Sequence, residues 1–198
     1  MGRPQAFNED EVIDKALDVF WEKGFLGAST RDLIDATGIS NGSFFNSFGD
    51  KKQLYLKCLQ KYNKVYVSSL EHLLGSNLPF KEKIRKTLQA ASRKTVGKDL
   101  YSGCFLYNTL IDKGVDDVNI TETSREINAR MDQAFINAVE LAKKNKELLP
   151  AVKVTPFAQY LSNVAGGIRI LVLHNPSEAH INNVIQQTLA FLPLREEE

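Results

Sequence analysis

Between Ser29 and Lys52 the chain reads STRDLIDATGISNGSFFNSFGDKK, and this segment restricts the fold more than any other. Ser29 or Thr30 can cap a helix, because a side-chain oxygen there accepts from backbone N–H groups that lack an intrahelical partner. Leu33, Ile34 and Ala36 supply apolar surface in the helix that follows. Gly38 stands where a helix end commonly needs a positive φ, and Ile39 is the apolar residue that would plug the turn into a core. Ser40 is a second N-cap candidate, and Asn41, Gly42 and Ser43 after it are short and unobstructed. Phe44, Phe45 and Phe48 are too many aromatics for a solvated helix, so most must bury. Two short helices joined by a tight glycine turn, the second led by small polar residues, have the local chemistry of a helix-turn-helix. Such a unit lays its second helix in the major groove of DNA, where small leading residues let backbone and side chains approach phosphates and base edges.

The rest of the chain is patterned for helices, with no convincing alternating strand. A first helix is predicted from about Asn8 to Gly24, with Val12, Ile13, Ala16, Leu17, Phe20 and Trp21 at spacings of three and four. A helix starting near Asp50 carries Leu54, Cys58, Tyr62, Val65 and Leu70 toward Leu74, and Gly75-Ser76-Asn77-Leu78-Pro79 is the clearest break. Beyond it the pattern predicts helices over 79–97, 101–114, 118–146, 156–173 and 177–192. Pro156 after Thr155, and Pro176 after Asn175, suit the first helical position following a cap. The expected fold is all-α, with about nine helices in two parts, 1–66 and 67–198. The boundary falls inside the helix that begins at Asp50, because a long shared helix can transmit movement.

Composition fits a globular protein: 43% of residues are hydrophobic and 25% charged, both close to ordinary averages. No apolar run is long enough to span a bilayer and the polar N-terminus does not read as a signal peptide, so the expected location is the cytoplasm, without a membrane partner. Two cysteines far apart, Cys58 and Cys104, suit a reducing compartment better than a disulfide framework. Without a secretory signal, the glycosylation-like triplets at Asn41 and Asn119 carry no weight. Net charge is +1, and residues 1–66 hold nine basic and nine acidic side chains. Glu9, Asp10, Glu11, Asp14, Asp18 and Glu22 lie on the first helix, whereas from Lys51 to Val65 the only charged residues are Lys51, Lys52, Lys57, Lys61 and Lys64. Those lysines read either as an ordinary solvated face or as a small basic edge for phosphates, working with helix N-termini and Arg3.

Gly2-Arg3-Pro4, Ala16, Phe20, Lys23-Gly24-Phe25, Ser29-Thr30, Gly38-Ile39-Ser40, Gly42-Ser43-Phe44, Phe48, Lys51 and Leu54 occur in an order with a counterpart. Through them residues 3–66 resemble the DNA-binding domain of TetR/AcrR-type transcriptional regulators, and the remainder is similar in helical layout. The resemblance implies a dimeric DNA-binding regulator, a repressor released from a near-palindromic operator by a small molecule or an electrophile. An alternative is a DNA-binding protein that recruits a protein partner without any small effector. The motif at 29–48 and its flanks then offer Arg3, Thr30, Arg31, Ser40, Asn41, Gly42, Ser43, Phe45, Ser47 and Lys51 as contacts to DNA. Two positions depart from the family: Tyr is usual where this chain has Phe45, and His is frequent where it has Ser47. Both usual residues contact phosphates, so altered phosphate contacts are expected there.

The helices predicted over 156–173 and 177–192 carry Phe157, Tyr160, Leu161, Val164, Ile168, Leu171 and Val172, then Ile181, Val184, Ile185, Leu189 and Leu192. Some of these must pack within one chain; in the family this pair builds a four-helix dimer bundle. A dimer also suits the helix-turn-helix, whose two recognition helices read successive major grooves about 34–36 Å apart. The run Tyr101-Ser102-Gly103-Cys104-Phe105-Leu106-Tyr107-Asn108 resembles the Gly-Cys-hydrophobic-Leu-x-Asn pattern of one branch of these regulators. Cys104, Phe105, Asn108, Phe135, Tyr160 and Asn163 are candidates to line an effector pocket, against a plainer role as core filling. A thiol beginning a helix can become acidic and react, whereas a buried one is a small apolar side chain, and Cys104 could be either. No cofactor, metal or enzymatic activity is expected. Gly38-Ile39-Ser40-Asn41-Gly42 matches the G-x-S-x-G nucleophile elbow but lacks the preceding strand, and His72, His174 and His180 have no ligand-like spacing.

Overall fold

The structure is a computed structural model that describes residues 7–93, 104–112 and 117–195. Its helices are α1 Glu9–Gly27, α2 Thr30–Thr37, α3 Asn41–Phe48, α4 Lys51–Tyr62, α5 Ser68–Gly75, α6 Phe80–Ala91, α7 Phe105–Ile111, α8 Val118–Lys144, α9 Val154–Leu171 and α10 Glu178–Ala190. A π-helical turn, Asn63–Val67, joins α4 to α5, and a 3₁₀ turn, Val172–His174, follows α9. With α4 and α5 taken as one run, the described residues hold nine helices, in agreement with the periodicity. The described residues contain one isolated antiparallel pairing, Leu148 with Leu194, and no strand.

Local capping chemistry explains where most elements begin. Asn8 accepts from the Asp10 N–H at 3.0 Å to start α1, and Asp50 accepts from the Gln53 N–H at 2.8 Å to start α4. Several expected boundaries shift. Gly24, with φ 71°, breaks α1, yet one more turn follows to Gly27 and is closed by the Ala28 N–H on the Gly24 carbonyl at 3.3 Å. α9 begins at Val154, so Pro156 lies inside the first turn, where its missing N–H leaves no bond unmade. Ser177 caps α10 by accepting from the His180 N–H at 3.2 Å, while Asn175 takes a left-handed conformation (φ 48°) to end the 3₁₀ turn. Pro176 therefore precedes the cap; asparagine tolerates the left-handed region, and the next serine supplies the acceptor. α6 ends at Ala91, and α7 starts at Phe105; residues 94–103, including the expected start at 101, lie outside the described residues.

The chain divides into two compact units. The first runs to Val65 and also takes in Phe105–Ile127; the second comprises Tyr66–Cys104 and the chain from Asn128 onward. This differs from a single cut at residue 66, because α7 and the first part of α8 pack with the N-terminal helices. Phe105 shows why. Its ring is fully buried, with its centroid 5.8 Å from Trp21, 5.3 Å from Tyr55 and 5.8 Å from Tyr62.

Within the first unit α1 packs on α2, α4 and α7, and α3 packs on α4. Its core is largely aromatic: Tyr55 meets Phe20 edge-on at 4.7 Å and Phe25 at 5.0 Å, while its hydroxyl shares a hydrogen bond of 2.7 Å with Thr109. Within the second unit α6 packs against α5, α9 and α10 over a mainly aliphatic core that includes Leu74, Leu88, Val139, Leu161 and Ile185.

Candidate nucleic-acid interface

The helix-turn-helix is built by four local devices. Ser29 Oγ accepts from the Asp32 N–H at 3.1 Å while an Asp32 carboxylate oxygen accepts from the Ser29 N–H at 2.8 Å, a reciprocal capping box that starts α2. Lys23 Nζ pairs with the same carboxylate at 2.5 Å, and these donors, Lys23 first, hold the Asp32 carboxyl well below the ordinary range. Gly38 adopts φ 74°, ψ 11° and closes α2 by donating to the Ile34 carbonyl at 2.9 Å. Ser40 Oγ accepts from the Ser43 N–H at 3.1 Å and starts α3. Ile39 is buried between the two helices, as expected; Leu33 is buried too, whereas Ala36 is exposed.

In α3 the aromatics decide which face is presented. Phe44 and Phe48, one turn apart, are buried, so Asn41, Gly42, Phe45 and Asn46 form the outward face. Phe45 is 48% exposed, with its ring edge-on to Phe44 at 5.3 Å. Ser43 and Ser47 are half-buried at the margins of this face, and at the start of α2 Thr30 is half-buried and Arg31 exposed. Asn46 was absent from the expected contacts; the i, i+4 spacing of Phe44 and Phe48 is the signal that places it outward. Arg3 lies outside the described residues.

The lysines of α4 differ from a free basic edge. Lys57 pairs with Glu9 at 2.5 Å, Lys61 with Asp14 at 3.2 Å and Asp10 at 3.4 Å, and Lys52 with Asp117 at 3.3 Å. The acids of α1 are thus local counter-charges for α4. Lys51 donates to the carbonyls of Phe25 at 2.9 Å and Ala28 at 3.0 Å, with its ammonium 4.4 Å from the Phe25 ring centroid. On the opposite side of that turn, Asp112 of the α7 end accepts from the N–H groups of Phe25 at 3.1 Å and Leu26 at 3.4 Å. Lys51 and Asp112 therefore clasp the α1 terminus that precedes α2.

The six pocket candidates fall in both units. Phe105 belongs to the aromatic cluster of the first, and Asn108 is half-buried on α7 there. In the second unit Cys104 and Phe135 are buried, Asn163 is exposed with its amide donating to the Gln159 carbonyl at 2.8 Å, and Tyr160 is 46% exposed. Tyr160 lines a groove of about 500 Å³ with Val164, Val184, Gln187, Thr188 and Phe191, between α9 and α10. Phe191 on its rim is 70% exposed. Cys58 is sequestered in the first unit, and burial raises its thiol pKa far above the ordinary value. Among the described residues no three His, Cys, Asp or Glu side chains converge as a metal site, and no helix is long and apolar enough to cross a membrane. Ser40, the elbow-like serine, follows a helix instead of a strand and serves as a cap.

The sequence model described as "Bacterial regulatory proteins, tetR family" matches residues 12–58. The HTH-type transcriptional repressor ComR of Escherichia coli (strain K12) is 24% identical over 193 residues, covering 97% of this chain and 92% of that protein. Among solved structures, a cysteine mutant of the TetR family transcriptional regulator CifR, complexed with 26-bp double-strand operator DNA, superposes with a TM-score of 0.83. It is 20% identical, covering 97% of this chain and all of that one. The reduced form of E. coli NemR also gives a TM-score of 0.83, at 16% identity, over 95% of this chain and 98% of that one.

Proposed function

We infer that this chain, which belongs to the tetR family of bacterial regulatory proteins, is a DNA-binding transcriptional regulator that acts as a repressor. The observation that carries this reading is the outward face of α3, held in place because Phe44 and Phe48 bury its opposite side. Asn41 and Asn46 carry amides of the kind that read adenine through its N6 and N7, and Phe45 has the apolar edge that suits a thymine methyl. Thr30, Arg31, Ser43 and Ser47, with the backbone at Ser40 and Gly42, serve the sugar-phosphate backbone. Lys51 acts by holding the α1 terminus, since two of its three N–H donors are taken by carbonyls.

The functional species is a homodimer. The groove between α9 and α10 leaves Phe191 70% and Tyr160 46% exposed, an apolar face suited to a second copy. A small-molecule effector bound in the second unit releases DNA by favouring an arrangement of the two heads that does not fit the operator.

Enrichment of duplexes from a random library by the full-length protein, followed by gel shifts, tests the assignment. Asn41→Ala is expected to relax preference at one base position by about 1–3 kcal/mol. Replacing one thymine by uracil is expected to weaken the native protein and leave Phe45→Ala unaffected. No enriched sequence, or an unchanged preference in Asn41→Ala, refutes the recognition face.

A further inference from the structure

α6 turns six residues inward: Phe80, Lys83, Ile84, Thr87, Leu88 and Ala91. Four are apolar and join the core of the second unit. Lys83 and Thr87 do not fit that wall, yet they are only 2% and 3% exposed. At i and i+4 they stand one above the other on the same side of the helix.

The Thr87 hydroxyl is not answered. Helical hydroxyls elsewhere in this protein bond the carbonyl four residues back: Thr37 to Leu33 at 2.6 Å, Thr109 to Phe105 at 2.8 Å, Ser124 to Ile120 at 2.7 Å and Thr188 to Val184 at 2.8 Å. Thr87 Oγ1 makes no such bond, and among the described residues it is the one buried side-chain oxygen or nitrogen without a partner. Lys83 likewise has no hydrogen bond or ion pair among the described residues. The opposite charge it feels is that of Glu147, whose carboxylate is engaged by the Phe80 N–H at 2.5 Å and acts on Lys83 only through space. Burial pushes the Lys83 pKa down, and the Glu147 charge opposes that only in part. A buried hydroxyl left without a partner is expensive anywhere in a fold, and the Lys83 side chain stands one turn before it.

We propose that Lys83 and Thr87 form the polar end of a ligand site in the second unit that takes an organic monocarboxylate with an apolar body. A carboxylate oxygen accepts from each donor, and the hydrocarbon part lies against the aliphatic residues that flank them on α6. One cation matches one negative charge. A phosphate dianion would exceed that charge and face the Glu147 carboxylate besides, and the site offers no guanidinium fork for it. The proposal rests on reading this chain as an effector-controlled DNA-binding protein, and it names the chemical class of that effector.

The test uses the full-length protein with straight-chain carboxylates from acetate to decanoate, benzoate, and the primary amide of each. Calorimetry and thermal shift report binding; gel shift on an enriched duplex reports release. Saturable binding of at least one carboxylate, ten-fold or more tighter than its amide and reduced to parity in Lys83→Met, is the expected result. Thr87→Val, which keeps the volume and removes only the hydroxyl, should weaken the same carboxylate several-fold, so the test survives if Lys83→Met fails to fold. Binding of no member, equal binding of acids and amides, or undiminished binding in both variants overturns the site. Carboxylate binding that depends on Lys83 in a protein that enriches no duplex keeps the site and removes the DNA-binding reading. Duplex binding with no carboxylate bound does the reverse.

Discussion

The two units solve opposite problems with different cores. In the first, Phe20, Trp21, Phe25, Tyr55, Tyr62 and Phe105 interlock at centroid distances of 4.7–6.4 Å, and Lys57 and Lys61 of α4 are paired with acids at its surface. Edge-on aromatic contacts have directional preferences, so such a core fixes helix positions closely. In the second, small and aliphatic side chains surround the Thr87 hydroxyl of α6, which has no hydrogen-bond partner. A surface proposed to read base edges needs α3 in one position; a site proposed to take a solute needs a polar group kept in reserve. The difference teaches that, among the described residues, the one buried side-chain polar atom without a partner lies in the aliphatic core and not in the aromatic one.

The most forceful way to break this comparison is to hollow each core. Phe20→Ala is expected to lose about 3–5 kcal/mol of stability and abolish DNA binding, as measured by denaturant unfolding and gel shift. Leu88→Ala is expected to lose about 2–5 kcal/mol yet keep the native site preference. If Leu88→Ala changes the preference as well, the cores are not separate in function. A smaller effect is expected at the turn. Gly38→Ala forces a side chain into the left-handed region for about 1–2 kcal/mol, visible as a lower unfolding midpoint; open space around this glycine would rule out a clash as the cause.

The lysines sharpen the picture at finer scale. Lys51→Met is expected to weaken DNA binding through a displaced α1 terminus while leaving the slope of log affinity against log salt unchanged; a slope reduced by about one unit would instead mark Lys51 as a phosphate contact. Lys57→Ala should lower stability by only about 0.2–1 kcal/mol, less at high salt, because its pair with Glu9 is half-exposed. The weakest effect concerns pH. The folded Asp32 carboxyl has a depressed pKa, so the unfolded chain binds the proton first as acid is added. Its stabilisation is present above the unfolded carboxylate pKa of about 3.9 and is lost as pH falls through that value toward the folded one. Asp32→Asn is expected to flatten this acid limb in a series of thermal melts, and an unchanged limb would show that the capping box contributes nothing there.

Much of the head was legible from the residues because its devices are local. Ser29, Gly38 and Ser40 each act within four positions of themselves, and the i, i+4 spacing of Phe44 and Phe48 fixes the outward face. The ion pairs were not legible. Nothing in the order of residues aligns the acids of α1 with the lysines of α4, whose pairing depends on how two helices cross. The pocket candidates scattered for the same reason: a mixture of aromatic, thiol and amide side chains has no period that says which unit each will join.

The amino-acid sequence by itself determined the all-helical class and the capped turn, because propensity, capping and a left-handed glycine act over a few residues. Tertiary structure alone decided that Phe105–Ile127 completes the first unit, that Lys52, Lys57 and Lys61 of α4 are paired with acids, and that the Thr87 hydroxyl stands buried without a partner. Each of these depends on side chains distant in sequence meeting, or failing to meet, inside a core, and no local pattern carries that information.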